Sequence, residues 1–271
     1  MHRTSTLLVV AAVVAAAACT GTDDNGGDAA GASTTTATTV QASTSTSTSV
    51  APTTVAPTST TTLVPWKQFP VGPVTELPRG SIQSFSRVNT TDPVVFLTID
   101  DGFVRDPRVP VLLAEHQAPA TLFLIAGSVM EDPEYFRQFV EIGGSINSHT
   151  NRHAYLPGMS KEAQQDEICG MREQIEATYG TAGYFFRPPR GLYDDASFAA
   201  ARECGVRAML LWRVTVTDDV IDTWGVSPIN SGDIILLHFL STTYDSLVML
   251  FAELDRLGLT VARLEDYLPA T

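Results

Sequence analysis

The sequence predicts an α/β domain whose parallel strands form a closed or nearly closed barrel. Strand and helix patterns alternate along the chain, the strands read as continuous apolar runs, and polar side chains follow several strands at their C-terminal ends. Alternating strands and helices indicate parallel pairing, and continuous apolar runs are typical of strands covered on both faces. Six or seven such units favour a barrel over an open sheet.

The first half of the domain contains three predicted strands. The run 94–99 is apolar and β-branched, which predicts a buried strand, and the apolar run 120–126 predicts a second. A short helix is expected between them at 110–117. Residues 133–142 predict a helix, because a proline opens the segment and Phe and Val side chains share one face. A short third strand is expected at 144–148.

The second half continues the alternation. Residues 160–179 predict a long amphipathic helix with Ser160 near its cap. A glycine follows each of the two later predicted helices, 193–204 and 243–257, and marks its end. The remaining predicted elements are the strand 183–186, the helix 193–204, the strands 206–212 and 233–238, the helix 243–257 and the strand 259–262.

The composition excludes several classes of protein. The chain carries 17 Lys and Arg against 30 Asp and Glu, a formal net charge of −13. Binding to nucleic acid or to an anionic membrane surface needs clustered cations, so both are disfavoured. Three cysteines are too few for a small scaffold built on disulfides. An apolar fraction of 44% is ordinary for a globular protein and excludes global disorder.

The N-terminus, residues 1–19, is predicted to be a signal peptide. Arg3 precedes the apolar run 7–18, which is too short to cross a bilayer stably. The run ends in three alanines and Cys19, which resembles a bacterial lipobox in which Cys19 would be lipidated. The alternative is an ordinary signal peptide cleaved nearby. Either way we expect an exported, extracytoplasmic protein, and with lipidation one that is anchored to the membrane.

Residues 20–65 are rich in Thr, Ser, Ala and Pro and have almost no large side chains. Such a segment buries too little apolar area to offset the entropy of ordering it, so we predict a disordered linker. Residues 66–271 are predicted to form a single domain that holds the function.

Polar side chains at four predicted strand ends carry the functional hypothesis. Asp100 and Asp101 follow the first strand, and His149 and His153 follow the third with a spacing that lets both bind one metal. Arg187-Pro188-Pro189-Arg190-Gly191 follows the fourth, and His238 ends a later strand. Taken singly, each stretch also has an ordinary structural interpretation. The two aspartates fit a turn, the histidine pair fits surface histidines, the proline-containing stretch fits a plain loop, and His238 fits a structural histidine. Together at one mouth of a barrel they indicate a metal site with a base and an acid.

The stretches Thr98 to Gly102, His149 to His153, Arg187 to Gly191 and Leu236 to His238 resemble the motifs of the polysaccharide deacetylase family. This is carbohydrate esterase family four, which has the NodB homology domain, and the resemblance covers residues 94–268. It implies a distorted (β/α) barrel. It also implies metal-dependent hydrolysis of N-acetyl, sometimes O-acetyl, groups on polysaccharides such as peptidoglycan, chitin or xylan.

The resemblance implies a role for each matching residue. Asp101, His149 and His153 would bind a divalent metal, usually zinc. Asp100 would be the general base, supported by Arg187, and His238 would be the general acid. The backbone N–H of Arg190 would help to hold the oxyanion. The implied partner is an acetylated polysaccharide, with a peptidoglycan-like glycan favoured, and no protein partner is predicted.

The sequence departs from the family pattern at the fourth motif. Thr215 stands where the family has the Asp that partners the Arg, and Asp219 takes the place of a Trp that walls the sugar site, so that Trp224 is the candidate substitute. Arg190 replaces the usual Tyr of the third motif. A catalytically weak or inactive carbohydrate-binding relative is therefore an alternative. A solute-binding lipoprotein of a transporter is disfavoured, because that class normally has two lobes.

Cys169 and Cys204 lie on two predicted helices, outside every motif. In an exported protein an isolated pair favours a disulfide over two buried thiols.

Overall fold

The computed structural model describes residues 72–225 and 228–271. The predicted signal peptide 1–19 with Cys19, and the predicted linker 20–65, lie outside these residues. Within the described ranges, no helix combines the length and the apolar character that a membrane crossing requires.

One sheet of ten strands organises the described part of the chain. Its order is β1-β6-β5-β4-β3-β2-β9-β7-β8, with β10 paired to β2 beside this path. All pairs are parallel except the antiparallel hairpin β7–β8. The strands are β1 (Gln83–Phe85), β2 (Val94–Asp101), β3 (Ala120–Leu124), β4 (Ser145–Ser148), β5 (Phe185–Phe186), β6 (Ala208–Leu210), β7 (Val214–Thr217), β8 (Val220–Asp222), β9 (Ile234–His238) and β10 (Thr260–Val261).

Helices connect and cover the strands. They are α1 (Arg108–Glu115), α2 (Ala126–Glu131), α3 (Pro133–Glu141), α4 (Lys161–Tyr179), α5 (Asp195–Glu203), α6 (Thr243–Leu257) and α7 (Leu264–Tyr267), with a short 3-10 helix at Pro189–Gly191. Strand–helix alternation and parallel pairing confirm the predicted α/β class. Within the described residues no ladder joins β8 back to β1, so the barrel is incomplete and distorted.

Strand β2 shows how the two faces of the sheet are used. Val95, Leu97 and Ile99 belong to the core that packs against helices α1, α3 and α6. Val94 and Phe96 belong to a second core on the opposite face, shared with β5 and β6. Because side chains alternate along a strand, Asp100 falls on the same face as Phe96, towards the interior of the barrel.

The structure corrects several predicted boundaries. Helix α1 starts two residues before the predicted 110, and Pro110 still lies in its first turn, where the missing N–H costs nothing. Helix α5 starts after Asp194, whose side chain accepts a hydrogen bond from the Ser197 N–H and sets the start. The Ser160 cap of α4 is confirmed by a bond from the Ala163 N–H. Strands β1, β7 and β8 and helices α2 and α7 were not predicted.

Candidate metal centre and active site

A cavity of about 310 Å³ lies at the C-terminal ends of β2, β4, β7 and β9. It gathers six of the seven residues that the sequence predicted for the metal, the catalytic groups and the oxyanion. The lining residues are Asp100, Asp101, His149, His153, Arg190, Trp212, Thr215, Trp224, Leu236 and His238. The seventh, Arg187, is fully buried behind Asp100.

Both adjacent carboxylates face the cavity because the backbone turns at Asp101. Strand alternation would place Asp101 on the opposite face from Asp100. Asp101 instead has φ 73°, in the left-handed region, and Gly102 follows with φ 90°. A Cβ on Gly102 would lie 2.7 Å from the Ser128 Cβ and 2.8 Å from the Phe136 Cζ, so only glycine fits. The turn at Asp101, and not the alternation of the strand, therefore brings both carboxylates to the same cavity.

The first histidine of the pair is held with one nitrogen aimed at Asp101. His149 follows β4 directly, is 1% exposed, and shares a hydrogen bond of 2.8 Å between Nδ1 and the Arg187 carbonyl. A carbonyl only accepts, so Nδ1 carries the proton and Nε2 keeps its lone pair. Burial lowers the pKa of His149, although Asp100 and Asp101 oppose the shift. The neutral imidazole is the form that binds a metal.

Three potential metal ligands converge on one point. The Nε2 atoms of His149 and His153 each lie 3.7 Å from the Oδ1 atom of Asp101, and the three ligand atoms lie within 4.8 Å of one another. Two atoms bound to one tetrahedral zinc ion at about 2 Å lie roughly 3.3 Å apart. The two carboxylate–imidazole distances exceed this value by about 0.4 Å, so the ligand atoms would move inward to share one ion.

Asp101 itself shows that this point suits a cation. Its Oδ1 is buried and has no hydrogen-bond partner among the described residues. Burial raises the pKa of Asp101, and the nearby histidines only partly offset this. An unpaired buried carboxylate oxygen is costly, and a bound cation removes the cost. The donor set of one carboxylate and two imidazoles fits zinc and leaves positions open for other ligands.

Arg187 fixes the position of Asp100. Its Nη1 donates to Asp100 Oδ1 and to Thr98 Oγ1, both at 2.8 Å. Its Nε and Nη2 donate to the carbonyls of Leu210 and Leu211. The guanidinium is buried, with Phe123 below it at 4.3 Å. Burial lowers the pKa of Arg187, and the carboxylate of Asp100 counters that effect.

The other catalytic candidates surround these groups. His238 ends β9 and is paired in register with Asp100 across the parallel ladder, so both line the same cavity. Arg190 lies in the 3-10 turn with φ 61°, and its exposed guanidinium sits 6.0 Å from the ring centroid of Tyr155. The turn therefore presents both the backbone and the side chain of Arg190 at the mouth of the cavity.

The atypical fourth motif has a defined place in the structure. Thr215 lines the cavity from β7, and its buried hydroxyl makes no hydrogen bond within the described ranges. Asp219 lies in the turn between β7 and β8 and is not part of the lining. Trp224, 67% exposed, and Trp212 both line the cavity. Trp224 therefore contributes an aromatic side chain to the cavity lining, whereas Asp219 contributes nothing to it.

Sequence reasoning assigned no role to two residues of this region. Trp212 lines the cavity, and its ring lies 5.6 Å from the Arg187 guanidinium. Thr98 accepts from Arg187 while its own hydroxyl donates to the Ile235 carbonyl at 2.6 Å. The position of Trp212 at the end of the predicted strand 206–212 was an available signal. Thr98 opens the first motif, but nothing in the sequence indicated its contact with Arg187, because a threonine inside an apolar strand is ordinary.

The predicted pairing of Cys169 with Cys204 is confirmed as a disulfide that links α4 to the end of α5. Neither cysteine lines the cavity.

Comparison with known proteins identifies related chains. The family model described as polysaccharide deacetylase matches residues 87–209. An uncharacterized protein from Streptomyces coelicolor is 38% identical over 190 residues, covering 67% of this chain and 75% of that protein. A peptidoglycan-N-acetylglucosamine deacetylase from Bacillus cereus is 31% identical over 196 residues, covering 66% of this chain and 92% of the relative.

Solved structures share the fold. A carbohydrate esterase family 4 pseudoenzyme from Bacillus anthracis superposes with a TM-score of 0.60 at 22% identity, covering 68% of each chain. At this identity the likeness concerns the architecture alone.

Proposed function

The chain belongs to the polysaccharide deacetylase family, and from that premise we propose that it is a metal-dependent hydrolase that removes N-acetyl groups from a cell-wall polysaccharide. The observation that carries the proposal is the buried, unpaired Oδ1 of Asp101 between the Nε2 atoms of His149 and His153. Asp100, held by Arg187, and His238 line the same cavity. This combination supports hydrolysis better than binding alone.

The three ligand residues would hold a divalent ion, and zinc suits them best. When bound, such an ion supplies Lewis acidity, which lowers the pKa of the attacking water and polarises the acetyl carbonyl. The chain supplies the remaining groups.

Asp100 would take the proton from the attacking water. Its Oδ1 is engaged by Arg187 Nη1, whereas its Oδ2 lies 3.6 Å from His149 Nε2, on the side of the metal ligands. The ion pair with Arg187 and the flanking ladder leave the carboxylate little freedom. A base held in this way needs no reorganisation during the reaction.

His238 would deliver a proton to the departing amine nitrogen while the carbon–nitrogen bond breaks, which gives acetate and the free amine. The Arg190 turn would place its backbone N–H against the oxyanion, a role that needs no particular side chain. Trp212 and Trp224 would provide the apolar walls against which a sugar ring packs.

A peptidoglycan-like glycan is the substrate we favour. The Bacillus cereus relative is a peptidoglycan-N-acetylglucosamine deacetylase, and the predicted signal peptide would bring the protein to the compartment that contains this polymer. We further propose that Cys19 is lipidated and that the linker 20–65 spaces the domain from the membrane. Replacing Cys19 with Ala should release the protein from the membrane fraction, and an unchanged distribution would contradict the anchor.

Acetate release by the purified protein tests the activity. Peptidoglycan, N-acetylated chitooligosaccharides and acetylated xylan are compared with and without chelator, followed by re-addition of zinc. We expect release from peptidoglycan that chelation abolishes and zinc restores. His149→Ala and Asp100→Asn should abolish it, whereas His116→Gln, which removes an imidazole outside the cavity, should not.

A carbohydrate-binding relative without activity is the second candidate. Thr215 puts an unpaired hydroxyl, not a carboxylate, in the cavity that His238 lines, and a fold neighbour from Bacillus anthracis is a pseudoenzyme. This candidate predicts zinc binding and glycan binding with no acetate release from any substrate of the panel.

A further inference from the structure

We infer that Glu167, on helix α4 and outside the cavity, is a positioning residue that holds the histidine loop (residues 149–153) in its metal-binding shape. The inference rests on the proposed function, because it assigns a new residue to the proposed metal centre. Glu167 belongs to none of the motifs identified in the sequence.

The histidine loop has a backbone that needs external support. Thr150 has φ 69° and His153 has φ 56°, so two non-glycine residues in five adopt the left-handed conformation. Such conformations are sparsely populated and persist only where the surroundings hold them. His153 is itself one of the proposed ligands, so losing its backbone conformation would move its imidazole.

One turn of α4 supplies much of that support. The carbonyl of Glu167 accepts from the Asn151 N–H at 3.0 Å. The carbonyl of Asp166 accepts from Asn151 Nδ2 at 2.9 Å. Both bonds join backbone carbonyls of α4 to Asn151, so they hold the loop against the surface of the helix.

Glu167 also binds the loop backbone with its side chain. Its carboxylate is 1% exposed, and Oε2 accepts from the Arg152 N–H at 3.0 Å, one residue before His153. The guanidinium of Arg152, itself 81% exposed, contacts Oε1. A buried carboxylate is expensive unless it is paired, and here both of its oxygens are directed at the loop.

The surface of α4 is shaped for this contact. Gly170 lies inside the helix, where glycine is a poor choice. A Cβ at this position would lie 2.6 Å from Asn151 Nδ2. The glycine therefore lets Asn151 lie flat against the helix and keeps the loop within reach of Glu167.

Zinc affinity measured by competition with a chromophoric chelator tests the inference without using activity. Glu167→Ala should weaken zinc binding by roughly 10- to 100-fold, the usual effect of removing a residue that orients metal ligands. The visible spectrum of the Co²⁺-substituted protein should change as well, since His153 would no longer be held in place.

Two further variants separate the hydrogen bond from the charge. Glu167→Gln keeps the length and an acceptor oxygen, so it should recover most of the affinity and the wild-type Co²⁺ spectrum. Glu167→Asp keeps the charge but is one methylene too short to reach the Arg152 N–H, so it should bind zinc more weakly than Glu167→Gln. This comparison remains available if Glu167→Ala does not fold.

Two controls lie on the same helix. Ile175→Ala removes a side chain that is buried in the hydrophobic core, and it should lower the melting temperature while leaving zinc affinity unchanged. Glu173→Ala removes an exposed carboxylate and should change neither.

The outcomes are distinguishable. A folded Glu167→Ala with wild-type zinc affinity, or an equal loss of affinity in Ile175→Ala, would overturn the inference. So would Glu167→Asp binding zinc better than Glu167→Gln. A wild-type protein that binds no zinc would instead overturn the proposed function, and the inference with it.

Discussion

Breaking the buried pair of Arg187 and Asp100 should show that the two residues act as one unit. Arg187→Met leaves Asp100 as a buried, uncompensated carboxylate, and it also removes donors from the carbonyls of Leu210 and Leu211. Removing one partner of a buried pair costs about 3–5 kcal/mol. That is a large share of the roughly 5–15 kcal/mol by which domains are stable.

Asp100→Asn should cost less, about 2–3 kcal/mol, because the amide oxygen can still accept from Nη1 although the guanidinium loses its counter-charge. The double variant buries neither charge. Its cost should therefore fall short of the sum of the single costs by about 2–3 kcal/mol, the coupling energy of the pair.

Urea unfolding of the four proteins in excess chelator measures this coupling. With a slope of about 2 kcal/mol per molar urea, Arg187→Met should lower the midpoint by about 1.5–2.5 M. The control cycle uses Arg105→Met and Glu131→Gln, a pair 3.0 Å apart whose Glu is 72% exposed, and should give a coupling below about 1 kcal/mol. If the costs of the Arg187 and Asp100 variants add within about 0.5 kcal/mol, the reasoning is refuted.

Three further perturbations test other parts of the structure. Gly102→Ala should destabilise by about 1–3 kcal/mol and weaken zinc binding, because its Cβ would clash with Ser128 and Phe136; unchanged stability would contradict the required close approach. Cys169→Ser, which opens a disulfide with a sequence separation of 35, should cost about 3–4 kcal/mol in urea unfolding, and an unchanged midpoint would contradict it. Hydrogen bonds, first of all from Gln164, lower the pKa of Asp194 to about 2. Since that stabilisation exists above the unfolded pKa of about 3.9 and fades as pH falls towards 2, the stability gap between wild type and Asp194→Ala should narrow from pH 5 to pH 3; a gap that stays constant would show that the carboxylate charge is not involved.

The parts of the fold that the sequence predicted are those determined by local pattern. Short, β-branched apolar runs such as 94–99 favour buried strands, and the Ser160 cap depends on residues within one turn. The β7–β8 hairpin was missed because only Val214 and Val216 of β7 are buried, which is too short an alternation to read. The opening of the barrel between β1 and β8 depends on contacts between distant segments, which no local pattern contains.

The same division holds for the candidate site. Asp100, Asp101, His149, His153 and His238 were found because ionisable side chains at the ends of buried strands are unusual in any fold. Arg187 was found as the support of Asp100, but two other supporting residues were not. Thr98 and Glu167 are ordinary residues in a strand and a helix, and only their contacts with Arg187 and with the histidine loop distinguish them.

Backbone strain gives an argument for the site that does not depend on the resemblance. In the described part of the chain, seven non-glycine residues have positive φ, and five of them lie in the cavity lining or between His149 and His153: Asp101, Thr150, His153, Arg190 and Trp224. Each such conformation costs about 1–3 kcal/mol where a glycine would cost little. A domain built for stability alone would not concentrate that cost at one end of its sheet. The strained positions turn Asp101 into the cavity, shape the histidine loop and set the Arg190 turn. The strained conformations therefore produce the geometry that the proposed chemistry needs.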